Sequence, residues 1–450
     1  MDDATLEEVI AKNPNETEFQ QTLKETYHIL EKVLDKNPEY RKSKIFERMA
    51  EPERVISFRI TWMDDEDEVQ VNRGYRVQMN SAIGPYKGGL RFHPSVNSSI
   101  LKFLAFEQIF KNALTGLPLG AAKGGSDFNP KGKSDREIMD FCQSFIRELF
   151  RHIGSRVDIP AGDIGVGQRE IGYMFGAYKK LKNEFSGSLT GKDTNWGGSL
   201  VRTEATGYGL IYFAENMLQQ QSQEIKGKKC LISGAGNVAQ HAIEKIIDLH
   251  GIPVTISDSS GFIYDEKGID YDKLEVIKEI KNKNKGRIKE YKENFPQAHY
   301  QEIDAGADQN PLWDIKADCA FPCATQNEIK KKDAQNLVSN KVQLLAEGAN
   351  MPLSAEATEV IQNSSMLYAP GKASNAGGVA ISGLEMTQNH MGVYWEKNQL
   401  KDRLQQIMKD IHDDCLHTAK QYGFENNYTY GATIAGFTKV ADAMLSEGII

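Results

Sequence analysis

Between residues 16 and 36 the apolar residues Phe19, Leu23, Tyr27, Leu30 and Leu34 recur at three- and four-residue steps, the stripe of an amphipathic helix. Residues 55–63 and 69–79 are rich in β-branched and aromatic side chains. They flank the acidic run Asp64-Asp65-Glu66-Asp67-Glu68, which predicts a hairpin whose tip stays solvated. Helical patterns follow at 98–114 and 134–153, the second opened by the capping box Ser134-x-x-Glu137 and closed by Gly154. After residue 228 the pattern changes. Short apolar strands at 229–233, 254–257, 317–321, 342–346 and 366–368 alternate with helical segments near 237–250, 271–285, 326–338 and 354–362, which predicts a doubly wound parallel sheet. Residues 378–450 are mostly helical, with a break near 423–430. The fold expected is α/β: an N-terminal α+β domain, then a Rossmann-like doubly wound domain, with C-terminal helices. The boundary falls near Asn195-Trp-Gly-Gly, giving domains 1–197 and 198–424, the first rejoined by a helix at about 425–450.

Length agrees with that division, because 450 residues at about 150 per domain suggest two to three domains. With 62 acidic against 54 basic residues the net charge is −8, so no global field draws the chain to nucleic acid or an anionic membrane. Five cysteines, Cys142, Cys230, Cys319, Cys323 and Cys415, form no C-x-x-C pair, which points to free thiols in a reducing compartment. The start Met-Asp-Asp-Ala-Thr-Leu-Glu-Glu is unlike a secretory or transit segment, and no apolar run approaches the roughly 20 residues that span a bilayer. A cytoplasmic location is expected. Neither H-E-x-x-H nor a phosphate loop of the G-x-x-x-x-G-K-[ST] form occurs, so neither a metal site nor ATP chemistry is expected.

Gly234-Ala-Gly236-Asn237-Val238-Ala239 lies where a predicted strand meets a predicted helix, the position of a dinucleotide fingerprint. Gly234 allows the tight turn, Gly236 lets backbone approach a pyrophosphate at the helix N-terminus, and Ala239 lets helix pack on strand. Asp258 stands close to the usual interval of about 20 residues to a ribose-binding acid. It favours NAD, whereas Ser259, Lys281 and Arg287 suit a 2′-phosphate; Lys281 and Arg287 also lie in a basic stretch that reads as a solvated face.

Three lysines keep unusual company: Gly84-Pro-Tyr-Lys87-Gly-Gly-Leu-Arg-Phe, Phe110-Lys111-Asn-Ala-Leu and Gly120-Ala-Ala-Lys123-Gly-Gly. In the helix at 98–114, Gln108 and Lys111 continue the stripe of Leu101 and Leu104, while Phe103, Phe106 and Phe110 form a second apolar face. Such a helix is largely buried, and a buried ammonium is costly without an anion. The alternative for Lys111 is a stem that snorkels to water. Clustered ammonium groups lower one another's pKa, making one a candidate base near neutral pH. Asp163, in Pro160-Ala-Gly162-Asp163-Ile-Gly-Val-Gly, is either an acid partner or ordinary turn chemistry.

These segments, with Arg202-Thr-Glu-Ala-Thr206-Gly-Tyr-Gly and Asn375-Ala-Gly-Gly-Val-Ala-Ile-Ser382-Gly, resemble the glutamate dehydrogenase family, small-subunit hexameric type, essentially end to end. The resemblance implies that Lys87 and Ser382 hold the distal carboxylate of glutamate and that Gln108 and Lys111 hold its α-carboxylate. It makes Gly162 a backbone contact, Lys123 the catalytic lysine and Asp163 its proton-transfer partner. Thr206, Gly234, Gly236, Asn237 and Val238 would contact the nicotinamide cofactor, and Asp258, Ser259 and Lys281 resemble NADP-preferring members, with NAD or dual use the alternative. The implied reaction is reversible oxidative deamination of glutamate to 2-oxoglutarate and ammonium. The implied assembly is a homohexamer, with 1–197 the substrate-binding and oligomerisation domain and 198–424 the dinucleotide domain; no metal, nucleic acid or membrane partner is implied. The stretch 301–313 is longer than the family pattern. A relative acting on an apolar amino acid would have no use for Lys87, and a non-catalytic protein would have none for Lys123 with Asp163.

Overall fold

Two five-stranded sheets organise the chain, one in each of two units, and a three-stranded sheet accompanies the second. The computed structural model describes residues 3–304 and 306–450; Met1 and Asp2 of the acidic start, and Ala305 of the 301–313 stretch, lie outside the described residues. One unit comprises Met1–Arg202, Val379–Leu400 and Thr433–Ile450; the other comprises Thr203–Gly378 and Lys401–Ala432.

In the first unit β1 (Arg54–Met63) and β2 (Val69–Asn80) form the hairpin, with Met63 opposite Val69 at its closed end. The tip differs from expectation at Asp64, which is buried: its carboxylate accepts the Glu66 and Glu68 N–H groups and the Gln70 amide. In a run of like charges one residue serves as the turn former, its short side chain reaching the backbone two residues on. Three further strands, β3 (Tyr86–Phe92), β4 (Ala121–Ser126) and β5 (Asp158–Gly162), complete a sheet of order β1-β2-β4-β3-β5. β2 runs antiparallel to β4, while β3 is parallel to both β4 and β5.

Trp62, Phe92, Phe128, Phe141 and Phe145 form the aromatic centre of a core beside this sheet, with Phe128 stacked on Phe141 at 3.8 Å between ring centres. Helix Asp135–Leu149 contributes to that core and begins with the predicted capping box, both reciprocal bonds being present. It ends at Leu149, short of Gly154. Helix Ser98–Leu114 is capped by the Asn97 side chain and buries Leu101, Phe103, Phe106 and Phe110.

The second unit holds β6 (Lys229–Ile232), β7 (Ile252–Pro253), β8 (Thr255–Asp258), β9 (Gly261–Tyr264), β10 (His299–Glu302), β11 (Cys319–Phe321), β12 (Leu344–Ala346) and β13 (Leu367–Ala369). Five are parallel in the order β13-β12-β11-β6-β7, with helices Asn237–Asp248, Lys331–Ser339 and Ala355–Gln362 between them in sequence. The strand expected at 254–257 forms as β8 but does not belong to the parallel sheet, whose edge is β7 just before it. β7 joins the parallel sheet for two residues, while β8 pairs antiparallel with β9 in a separate sheet, β10-β9-β8. The Ile252 and Val254 N–H groups still donate to the Lys228 and Cys230 carbonyls of β6, but the Val254 carbonyl accepts from the Asp265 N–H, and the Ile232 N–H turns instead to the Thr255 hydroxyl at 2.7 Å. The C-terminal helices are Gly377–Met391, Lys397–Gln421 and Tyr428–Glu447. Among the described residues no helix is long and apolar enough to cross a membrane.

Candidate functional site

Strand alternation places Lys87, Gly89 and Arg91 of β3 on one face. Leu90 pairs with Gly124 of β4, which brings Lys123 level with Gly89; Leu90 also pairs with Gly162 of β5, so Asp163 follows at that strand's end. Gly89 is the gap that lets its neighbours meet. A methyl group there would lie 2.8 Å from the Asp163 Cβ, whereas with glycine the Lys123 ammonium approaches Asp163 Oδ1 at 3.4 Å. The other carboxylate oxygen, Oδ2, accepts from Arg91 Nε at 2.8 Å.

Burial sets the electrostatics of this group. It pushes Lys123 below the usual lysine range, an effect that the Asp163 charge only partly offsets. Burial, then the Lys123 charge, push Lys111 down to about 8. Asp163 moves the other way: burial alone would raise it, but Lys123 and Arg91 together hold it below the usual carboxylate range.

Lys87, only 1% exposed, donates to the Ile159 carbonyl at 3.0 Å and to the Thr190 hydroxyl at 2.5 Å. Burial drives it well below the usual range, and Glu385 opposes that shift. Glu385 itself is fully buried, bonded to Lys192 at 2.8 Å and to the Gly191 N–H at 3.0 Å. Ser382 is buried one helical turn before Glu385, on Gly377–Met391. Gln108 donates to Asn112 at 2.7 Å, and Asn112 in turn bonds the Lys87 carbonyl at 3.0 Å, so the helix Ser98–Leu114 is tied to β3. Arg202 is a further cation, lowered by burial and opposed by Glu385, and its buried Nε has no hydrogen-bond partner among the described residues.

Thus Lys87, Lys111, Lys123 and Arg202 face the carboxylates Asp163 and Glu385, the second already engaged by Lys192. An added dianion suits such a set better than an apolar side chain. Sequence reasoning missed Thr190, Arg91 and Arg202 as parts of this site. Thr190 lies 103 positions from its partner Lys87 and carries no local signal, whereas Arg91 and Arg202 stood inside the quoted motifs without a role.

In the second unit the fingerprint turn follows β6. Gly234 has φ +79°, a left-handed conformation that favours glycine, and a Cβ there would lie 2.8 Å from the Cys323 carbonyl oxygen. A Cβ at Gly236 would meet nothing within 4 Å, so the space outside the helix N-terminus is open. Asn237 donates to the Thr203 carbonyl at 2.5 Å, linking this turn to the segment before Thr206. Helices Ala205–Gln219 and Asn237–Asp248 pack closely at Gly207, where a Cβ would sit 2.7 Å from the Val238 carbonyl oxygen.

The Asp258 carboxylate is fully engaged. Oδ2 accepts from Lys281 at 2.8 Å and from the Ile288 N–H at 2.9 Å, and Oδ1 accepts from the Ser260 N–H and hydroxyl. Burial opposes its charge, but these donors, Lys281 first, hold it down at about 2. Arg287, which read as part of a solvated face, donates to the Ser259 hydroxyl at 2.8 Å.

Comparison with known proteins agrees with this arrangement. Residues 197–448 match the family model described as glutamate/leucine/phenylalanine/valine dehydrogenase, and residues 52–180 match its dimerisation domain. The chain is 54% identical over 449 residues to the glutamate dehydrogenase of Bacteroides thetaiotaomicron, covering 99% of each. It is 52% identical over 445 residues to the NADP-specific glutamate dehydrogenase of Escherichia coli, covering 99% of this chain and 98% of that one. Among solved structures, Plasmodium falciparum glutamate dehydrogenase superposes with a TM-score of 0.96 at 47% identity, covering 99% of this chain and 94% of that one.

Proposed function

This chain belongs to the glutamate/leucine/phenylalanine/valine dehydrogenase family, and from that membership we propose how its residues divide the work of one reaction. The reaction is the reversible oxidative deamination of L-glutamate to 2-oxoglutarate and ammonium, with NADP as the hydride acceptor. Lys87 and Ser382 take the distal carboxylate, Gln108 and Lys111 the α-carboxylate, and the Gly162 backbone contacts the substrate between them. Fixing both carboxylates fixes Cα, the positional contribution to catalysis. After hydride leaves Cα, water adds to the resulting iminium carbon. Lys123, its affinity for a proton lowered by burial, accepts the proton of that water. Asp163 passes protons to and from the nitrogen as the carbinolamine collapses. The observation that carries this reading is the Lys123–Asp163 pair, 3.4 Å apart, beside the strand that carries Lys87, an ammonium with no carboxylate within hydrogen-bond reach among the described residues.

The dinucleotide unit fits NADP: the open space over Gly236 at a helix N-terminus would take the pyrophosphate, and Gly234, Asn237, Val238 and Thr206 would help hold the cofactor. Ser259, Lys281 and Arg287 hold the 2′-phosphate, and Asp258, already engaged, holds Lys281 in place. When bound, the nicotinamide supplies hydride acceptance. NAD is the second reading, favoured by the presence of an acid at Asp258 and by the 53% identical relative from Xylanibacter ruminicola named NAD(P)-specific.

A homohexamer in the cytoplasm completes the proposal, supported by the match to a dimerisation domain and by five free, buried cysteines. Sedimentation gives the mass. Ultraviolet absorbance of reduced nicotinamide tests the activity: glutamate with NADP turns over, and a greater rate with leucine or no rate with glutamate would overturn the reading.

A further inference from the structure

We propose that Arg91 is a positioning residue for proton transfer: its guanidinium fixes one oxygen of Asp163, aims the other at Lys123, and so sets the pH range in which the pair works. The inference rests on the roles proposed above for Lys123 and Asp163. Nothing in those roles involves Arg91.

The geometry is specific. Arg91 follows Gly89 on the same strand face, and its Nε binds Asp163 Oδ2 at 2.8 Å while Lys123 lies 3.4 Å from Oδ1. Both side chains of the Arg91–Asp163 pair are mostly enclosed, at 12% and 15% exposure. The Arg91 backbone is also held closely, because Gly125 of β4, in register with it, has φ +153° and a Cβ there would lie 2.0 Å from the Arg91 carbonyl oxygen. A carboxylate with one oxygen committed to a guanidinium cannot rotate, so proton exchange is confined to Oδ1, the oxygen facing the amine.

Two consequences follow from one charge. A cation beside Asp163 favours its carboxylate form, and the same cation beside Lys123 favours the neutral amine. Both are the proton-accepting forms, so Arg91 extends the active range of both groups towards lower pH.

Other charges face the pair. Lys111 of helix Ser98–Leu114 acts on both groups. Arg76 of β2 lowers Lys123 and is locked to Asp158 by a bidentate pair. Lys131, Arg169 and Glu170 line the depression beside Asp163, with Glu170 held by Arg169 at 2.6 Å and by the Gly167 N–H at 2.7 Å. Of these groups Arg91 alone is bonded to Asp163 Oδ2, the oxygen that Lys123 does not face.

The test measures kcat/KM for glutamate against pH at saturating NADP in wild type, Arg91→Lys, Arg91→Gln and Arg91→Met. The ascending limb should move to higher pH by about one unit in the two neutral variants, the scale expected for losing one adjacent charge. Arg91→Lys should keep the limb in place and lose kcat only, because it keeps the charge without the fixed direction of the Nε–H bond to Oδ2. If Arg91→Met does not fold, Arg91→Gln, which retains a donor, carries the comparison. An unshifted limb in the folded neutral variants, or an equal shift in Arg91→Lys, overturns the proposal. Asp163→Asn separates the two levels: near wild-type turnover there removes the underlying reading, whereas an inactive Asp163→Asn with an unshifted Arg91→Gln removes only this inference.

Discussion

Lys87 and Lys281 are assigned to anionic parts of two different ligands, and the protein holds them in opposite ways. Lys87 meets the neutral oxygens of Ile159 and Thr190 in full burial. Lys281 meets the Asp258 carboxylate and the Gly286 carbonyl, each at 2.8 Å, with its side chain 18% exposed. Desolvation makes the first ammonium costly until an anion arrives, so in the proposed substrate site affinity would come from charge the protein leaves unmet. At the second site the protein has already supplied the anion, and what remains is a small difference between two cofactors. Affinity for a class of substrate and discrimination within a class of cofactor are thus built from the same side chain by changing its partner.

The largest effect is expected not at that unmet charge but at the paired groups beside it, Lys123 and Asp163. Lys123→Ala or Asp163→Asn should leave dinucleotide binding intact while cutting kcat by at least about 10²-fold, the loss typical of an acid–base group. Stopped-flow turnover beside a cofactor titration checks both halves; near wild-type kcat in a folded Asp163→Asn protein would contradict it.

Next in size is Lys87→Leu. Glutamate kcat/KM should fall by about 10²-fold or more, as expected when a buried charge loses its partner at about 3 kcal/mol. An apolar amino acid such as norleucine should gain. The comparison with Lys281 sharpens through stability: replacing an under-compensated buried ammonium with an apolar side chain should not lower the ligand-free Tm, whereas Lys281→Leu strands the Asp258 carboxylate and should lower it. Unchanged glutamate KM in Lys87→Leu, or equal Tm losses in the two variants, would remove the contrast.

The two sites were not equally legible in the sequence. The fingerprint Gly234-Ala-Gly236 and the alternating strands are local signals, and β6, β11, β12 and β13 lie where the pattern places them. The strand at 254–257 is also where the pattern places it, but its pairing outside the parallel sheet was not legible, because an apolar run does not say which neighbour it will pair with. Lys87, Lys111 and Lys123 stood out through their apolar and glycine surroundings, and Asp163 stood out as a candidate partner of Lys123, yet the groups around Lys87 did not. Thr190 and Glu385 come from segments far along the chain, and only the folded arrangement shows that Glu385 is spent on Lys192. Asp258 shows the limit from the other side: spacing located it, but spacing cannot say that all its acceptor positions are taken by Lys281, Ile288 and Ser260.

That last point decides the smallest prediction, Lys281→Ala. If Lys281 acted on a 2′-phosphate by charge alone, the variant would lose NADP efficiency and leave NAD untouched. The pairing with Asp258 adds a second effect. Removing Lys281 frees an oxygen of Asp258 close to the ribose position, where it repels a 2′-phosphate and accepts a hydroxyl. NADP kcat/KM should therefore fall several-fold and NAD kcat/KM should rise modestly, because a partly exposed pair is worth only about 0.2–1 kcal/mol. Adding Asp258→Ser to Lys281→Ala should cancel most of the NAD gain while leaving the NADP loss, as the freed carboxylate is then absent. Raising ionic strength should narrow the wild-type preference, to the extent that Lys281 and Arg287 act through exposed charge. Steady-state kinetics with both cofactors in the four combinations measures each term. Equal losses for both cofactors in Lys281→Ala would mean that Lys281 supports the fold of this loop and takes no part in choosing between them.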